Sequence, residues 1–275
     1  AVVSNQGGYY SAFAYLSEGR RMGLTILPPD INASDWAYRG SGQTVRVGLM
    51  QIASLHEDLV TRILTERQTN GLYRSLADFL DRVKPEMAQA ALLIKAGCFD
   101  SMAGELTRPA LLWRLFASQA TKPPGYLPIP PEYARSQQLT HELSLFGFPL
   151  SCHPLDLFED VLVRIPHILA RDLAQHVGEV VTVIGWLVTE KIISTKKGEP
   201  MEFMTLEDQT SLYDATIFPD LYRRYCHLLA TNQAYILTGL VEEQFSTVTL
   251  TVKELRLLAS HDVEVPFEPI EEVIG

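Results

Sequence analysis

Residues Val180 to Asp208 read VVTVIGWLVTEKIISTKKGEPMEFMTLED. The first sixteen are rich in β-branched side chains and alternate over a long run, the period of a strand that buries one face. Lys196-Lys197-Gly198-Glu199-Pro200 then supplies a turn, and MEFMTLED resumes the alternation. The stretch therefore predicts a long strand, a hairpin tip and a second strand. SLYDATIF continues as a third strand, with Leu212, Ala215 and Ile217 apolar; PDLYRRYCHLLA is helical, and AYILTGLVEE and TVTLTVKELRLL add two more strands. That order is the order of the OB-fold, a five-stranded Greek-key barrel with a helix between its third and fourth strands. Gly185 suits the point where the first strand bends to serve both sheets. A small barrel of another topology is the alternative.

Upstream the period changes. SAFAYLSEGRRMG, Ser11 to Gly23, predicts a helix capped by Ser11 and stopped at Gly23, and LTIL a short strand that ends at Pro28-Pro29. DINASDW and RGSGQ read as loop. LHEDLVTRILTER, SLADFLDRV behind Ser75, and MAQAALLIKAG then predict short helices, with Leu59, Ile63 and Leu64 on one stripe and Leu76, Phe79, Leu80 and Val83 on another. KPPGYLPIPPEY reads as a semi-rigid linker, followed by the helix ARSQQLTHELSLFGF and a capped turn and helix in CHPLDLFEDVL. The fold class is thus α+β and multi-domain, a helical module followed by the barrel.

Composition narrows the function. Apolar residues at 47% and charged residues at 20% fit a folded protein large enough for two or three units. No apolar run is long enough to span a bilayer, and AVVSNQGGYY lacks the features of a signal peptide. Three scattered cysteines form no disulfide framework, so a reducing cytoplasm is expected. The abrupt start and the acidic end suggest a piece of a larger protein.

A catalytic constellation is missing. There is no P-loop, dinucleotide fingerprint, GxSxG or HExxH, and Cys152-His153 and Cys226-His227 lack the spacing of a zinc site. Neighbouring carboxylates such as Glu207-Asp208 and Glu242-Glu243 point to opposite faces of a strand and read as solvated turn residues. No catalytic residue, metal ligand or cofactor is expected in this chain. Binding is better supported. An OB-fold takes its ligand on strands two and three and the adjoining loops, with cations for phosphates and aromatics for bases. Lys191, Lys196 and Lys197 lie at the first hairpin, and Phe203 and Tyr213 on the next two strands, residue types suited to single-stranded nucleic acid. Equally, the lysines solubilise a hairpin tip and Phe203 packs inside the barrel; the pattern leaves both open. The charge sets a limit. The chain carries a net charge of -10, and residues 179–258 hold seven Lys/Arg against eleven Asp/Glu, so phosphate contacts are local and weak.

Four ordered motifs carry a family resemblance: RRMGLTILPPDIN, LLIKAGCFDSM, ELSLFGFPLSCHPLD, and TKKGEPMEFMTLED followed by ATIFPDLY. Together they resemble the C-terminal region of the bacterial DNA polymerase III alpha subunit, in its replicative or error-prone form. The resemblance implies the end of a fingers domain at 1–44, a tandem helix-hairpin-helix domain at 45–118, a Pro-rich linker with helices at 119–178, an OB domain at 179–258 and an acidic tail at 259–275. It implies duplex DNA and single-stranded template as ligands, and a polymerase whose palm, with its Mg2+, lies upstream. Arg62, Arg67 and Arg74 are then further phosphate candidates. Where family members carry a glycine-rich first hairpin, this sequence has Ile52-Ala53-Ser54-Leu55-His56, whose side chains obstruct a close approach to phosphate. The family's sliding-clamp motif would fall on ELSLF or PLDLF, each without the leading glutamine; ELSLF reads better as core. A protein scaffold docking replisome partners through the OB domain and linker is the alternative function.

Overall fold

A computed structural model describes residues 12–117, 129–230, 233–244 and 247–258. The chain divides into two units. Among the described residues, Met22 to Ser151 form one, while residues 12–21 join Cys152 onward to form the other. The division falls inside the expected 119–178 linker, and the first helix sides with the barrel unit instead of the expected 1–44 segment. Part of the Pro-rich stretch, 118–128, and the acidic tail lie outside the described residues.

In the first unit, Thr25–Leu27 (β1) pairs in parallel with Thr44–Arg46 (β3), and Arg39–Ser41 (β2) pairs antiparallel with β3. RGSGQ is therefore half of a hairpin, not loop: Gly42, at φ 57, makes its turn. Helices follow at Glu57–Asn70 (α2), Leu76–Val83 (α3), Met87–Lys95 (α4), Arg108–Ala117 (α5) and Arg135–Phe146 (α6). Ser75 caps α3 by accepting from the Asp78 N–H, and Gly147, left-handed at φ 75, closes α6. The apolar stripes meet in a core that holds Leu59, Ile63, Phe79, Leu93, Ile94 and Leu115. Phe79 packs edge-on against both Tyr73 and Phe99, at 5.2 and 5.1 Å between ring centroids. Arg82 fastens α3 to α2 through Glu66 while lying 4.5 Å over the Tyr73 ring.

The second unit contains Ala12–Arg21 (α1), a 3-10 turn at Pro154–Phe158 running into Glu159–Leu162 (α7), and a barrel. The barrel strands are Val180–Ser194 (β4), Pro200–Glu207 (β5), Leu212–Ile217 (β6), Ala234–Gln244 (β7) and Thr247–Leu257 (β8), with Pro219–Tyr225 (α8) between β6 and β7. They close in the order β4-β5-β6-β8-β7, with β6 and β8 parallel. This is the five-stranded OB-fold topology read from the sequence. β4 closes it by pairing with β7 over Val180–Trp186 and with β5 from Trp186 onward, its register shifting between Leu187 and Thr189. Gly185 sits just before that shift for a sharper reason than bending. A Cβ there would stand 2.3 Å from the Tyr213 hydroxyl and 2.9 Å from Leu206, so the barrel interior admits no side chain.

Candidate nucleic-acid interface

The hairpin between β4 and β5 projects the cations. The Gly198 N–H donates to the Thr195 carbonyl at 2.9 Å and Gly198 takes φ 77, so Lys196 and Lys197 occupy the middle of a turn whose last residue is left-handed. Both lysines are exposed. Lys191 stands directly across from Phe203 in the antiparallel register, and cross-strand partners share a face. That face is the outer one: Phe203 is 43% exposed, whereas its neighbours Met204 and Leu206 are buried in the barrel. The barrel-interior reading of Phe203 is thereby excluded, and its ring lies beside a lysine on the surface of the second OB strand.

Tyr213 does not join them. It is 6% exposed within the barrel core, its hydroxyl lacks a hydrogen-bond partner, and burial holds its pKa well above the usual value. It shares the inward face with Ala215 and Ile217, so it cannot stack on a base. Arg67 is also withdrawn. Its guanidinium donates to the carbonyls of Ile31 and Ser34 at 2.9 and 2.8 Å and pairs with Asp35 at 3.3 Å, holding the loop after β1 onto α2. Arg62 and Arg74 are exposed. Arg62, however, lines a cleft of about 610 Å³ with His56, Glu57, Asp58, Leu59, Glu86 and Gln89, where carboxylates outnumber it.

The first hairpin of the helical unit exposes Ala53, Ser54 and His56, but its backbone is tied to its surroundings. The Ala53 N–H donates to the Leu145 carbonyl at 2.7 Å and the Leu55 N–H to Ile52 at 3.2 Å. Buried Gln89 clamps the loop from both sides, accepting from the His56 N–H at 2.8 Å and donating to the Ser54 carbonyl at 2.9 Å. Ser54 adopts φ 60, the left-handed conformation that favours glycine. Of the clamp-like segments, ELSLF has its Leu145-Phe146 pair buried, whereas in PLDLF Leu155 is buried and the Leu157-Phe158 pair is half-buried. Glu207 and Asp208, expected as solvated turn residues, are buried too. Glu207 pairs with Arg21 at 3.2 Å, tying α1 to the barrel, and its Oε1 lies 3.3 Å from His153 Nε2. Asp208 accepts from the N–H groups of Ala170, Thr210 and Ser211.

One feature of the outer face has no local signal in the sequence. Ala14, Tyr15 and Glu18 of α1 wall a groove of about 370 Å³ whose other side is Thr205, Leu212, Tyr213, Asp214 and Val248. Thr205 lies two residues beyond Phe203 on the same face of β5, so the groove continues the surface that carries Lys191 and Phe203. Strand parity places Thr205 and Asp214 there; only the tertiary fold brings α1.

Residues 23–110 match the model of the helix-hairpin-helix motif, and residues 181–258 that of the OB-fold nucleic acid binding domain. The error-prone DNA polymerase of Symbiobacterium thermophilum is 28% identical over 91% of this chain and 28% of its own length. The DNA polymerase III subunit alpha of Aquifex aeolicus is 29% identical over 87% of this chain and 21% of its own. The chain is a homologue of the C-terminal region of these polymerases. It spans about a quarter of the length of these polymerase relatives. Among solved structures, the second OB-fold domain of replication protein A from Methanococcus maripaludis is 17% identical, covering 30% of this chain and 88% of that one with a TM-score of 0.25. Among the described residues no group of three or more His, Cys, Asp or Glu is disposed to hold a metal ion, and no helix is long and apolar enough to cross a membrane.

Proposed function

We propose that this chain binds single-stranded DNA on the outer face of its barrel, as the DNA-holding part of a polymerase III alpha-like enzyme. The observation that carries the reading is the pairing of Lys191 with exposed Phe203 beside the Lys196-Lys197 tip, cations next to an aromatic platform on the OB strand that faces outward. Nucleotidyl transfer and its Mg2+ belong to a palm outside this span, and the chain alone incorporates no nucleotide. For duplex DNA the helical unit contributes only the exposed Arg62 and Arg74, because its first hairpin uses its N–H groups internally. Duplex is therefore held less tightly than a single strand. Contact with a sliding clamp through ELSLF is disfavoured by the burial of Leu145 and Phe146.

Fluorescence anisotropy with a labelled single-stranded oligonucleotide tests this at low salt. Three lysines releasing counterions from a single strand give a slope of log K against log salt of about -2. Lys191→Glu/Lys196→Glu/Lys197→Glu is expected to abolish that dependence without changing the thermal melt. Equal binding by the triple variant, or tighter binding of a blunt duplex than of the single strand, would sink the assignment.

A further inference from the structure

The outer face of the barrel carries a second exposed ring. Phe218, the residue after β6, is 47% exposed, whereas Ile217 before it is buried in the core. Its backbone stays extended, at φ -73 and ψ 162, so strand alternation runs one residue past β6 and turns the ring to the side of Thr216, away from Ala215 and Ile217. Phe203 pairs with Thr216 and Glu202 with Ile217, and one further step sets Phe218 across from Met201, diagonal to Phe203 on the same face. The other two corners of this square, Met201 and Thr216, are uncharged and buried, so the two rings stand out over a neutral floor. Two contacts hold Phe218 in place. Its carbonyl accepts from the Tyr222 N–H at 2.8 Å at the start of α8, and Arg223 of α8 donates to Glu199 of the lysine hairpin at 3.1 Å while pairing with Asp220. The carboxylate nearest in sequence to the ring is thus already matched by a cation.

Spacing decides what the pair of rings fits. Diagonal neighbours on one face of an antiparallel pair lie about 7–8 Å apart, twice the roughly 3.4 Å step between stacked bases. The bases of a duplex cannot meet both rings, and those of an unstacked single strand can. We infer that Phe218 is a second base platform, so that one base of a single strand stacks on Phe203 and the next on Phe218 while the phosphate backbone passes Lys191. The inference rests on the single-strand reading above and adds a residue and a path to it: the strand crosses β5 and β6 from the lysine hairpin toward the start of α8. Because every base has a π-face, this track accepts any sequence.

The test sets Phe218→Ala and Phe218→Leu beside the parent, as full chains, by anisotropy on a deoxythymidine oligonucleotide of about 12 residues, within the range of OB-fold site sizes. Each variant is expected to bind about tenfold more weakly with an unchanged circular-dichroism melt, because Leu keeps the apolar bulk but offers no face to a base. The slope of log K against log salt should stay that of the parent, since no phosphate contact is removed. Phe218→Trp should restore the affinity, and its added fluorescence should be quenched at saturation. Parental affinity in both the Ala and the Leu variants, with Phe203→Ala still weakened, would overturn the second platform and leave the single-strand reading standing. A lowered melt in Phe218→Ala, with melt and affinity both restored in Phe218→Leu, would overturn it in favour of a packing role at the start of α8. No binding of the oligonucleotide by the parent chain would overturn both readings.

Discussion

Two hairpins separate the two units by the use they make of their backbone. In the helical unit, the N–H groups of Ala53 and His56 are claimed from outside the loop, by the Leu145 carbonyl and the Gln89 side chain, and the helix that follows begins with Glu57 and Asp58. In the barrel, residues 195–199 satisfy their turn locally and leave Lys196 and Lys197 exposed. A polar loop becomes a structural joint when its donors are claimed by the rest of the fold, and a ligand surface when its turn closes on itself and its charges stay outside. In a chain of net charge -10, three cations on one hairpin, one of them across from an exposed ring, matter more than the total.

Removing the joint breaks this contrast most severely. Gln89 is 6% exposed and holds both sides of the first hairpin, so Gln89→Ala strands the His56 N–H and the Ser54 carbonyl. Leaving such groups unpaired costs about 3 kcal/mol, and a thermal melt of the helical unit is expected to fall accordingly while barrel binding is retained. A silent Gln89→Ala would mean that the loop finds other partners. Removing the platform acts on the other side. Phe203→Ala is expected to weaken single-strand binding by about tenfold through lost stacking, with little effect on stability because the ring is exposed. A drop in stability with unchanged affinity would return Phe203 to a packing role.

The base of the barrel hairpin is expected to respond to pH. Glu202, buried on β5, shares a hydrogen bond with Glu190 of β4, and Tyr222 and Tyr235 lie within electrostatic reach of both carboxylates. Burial first, and the Glu190 carboxylate second, push its pKa up to about 7 from an ordinary value of 4.5. A carboxyl raised on folding stabilises fully below its unfolded pKa, and that stability is lost as pH rises through the folded one. The barrel is therefore expected to lose about 1–2 kcal/mol between pH 4.5 and 8, the full shift being discounted because Glu190 is exposed. Glu202→Gln should flatten the dependence and raise the melting temperature at pH 8. A parent melt unchanged across that range would refute the linkage.

The difference in legibility between the units has the same physical root. The barrel is readable because its strands alternate and its turn is polar, and the Ser75 cap because it is local. β2 and β3 are not readable, since three-residue strands around Gly42 carry no period. The side on which Phe203 falls is hidden because Met201, Phe203, Met204 and Leu206 put apolar residues at both parities. Tyr213 was within reach of the pattern: it shares parity with Ala215 and Ile217, both inward. Arg67 and the α1 groove depend on partners distant in sequence, Ile31 and Ser34 in one case and β5, β6 and β8 in the other, which no local pattern can supply.

The smallest change is also the sharpest test of why the first hairpin does not present its N–H groups. Ser54 holds φ 60 with a side chain, a conformation that costs roughly 1 kcal/mol and that glycine adopts freely. Glycine also gives the unfolded chain more freedom, which offsets about half of the gain. Ser54→Gly is therefore expected to raise stability by about 0.5 kcal/mol, read from denaturant midpoints at unchanged slope. Because the N–H groups of Ala53, Leu55 and His56 stay bound to Leu145, Ile52 and Gln89, duplex affinity should not follow. If the variant instead gains salt-sensitive duplex binding, the side chain alone was the obstacle, the internal hydrogen bonds are exchangeable, and the two hairpins differ in degree, not in kind.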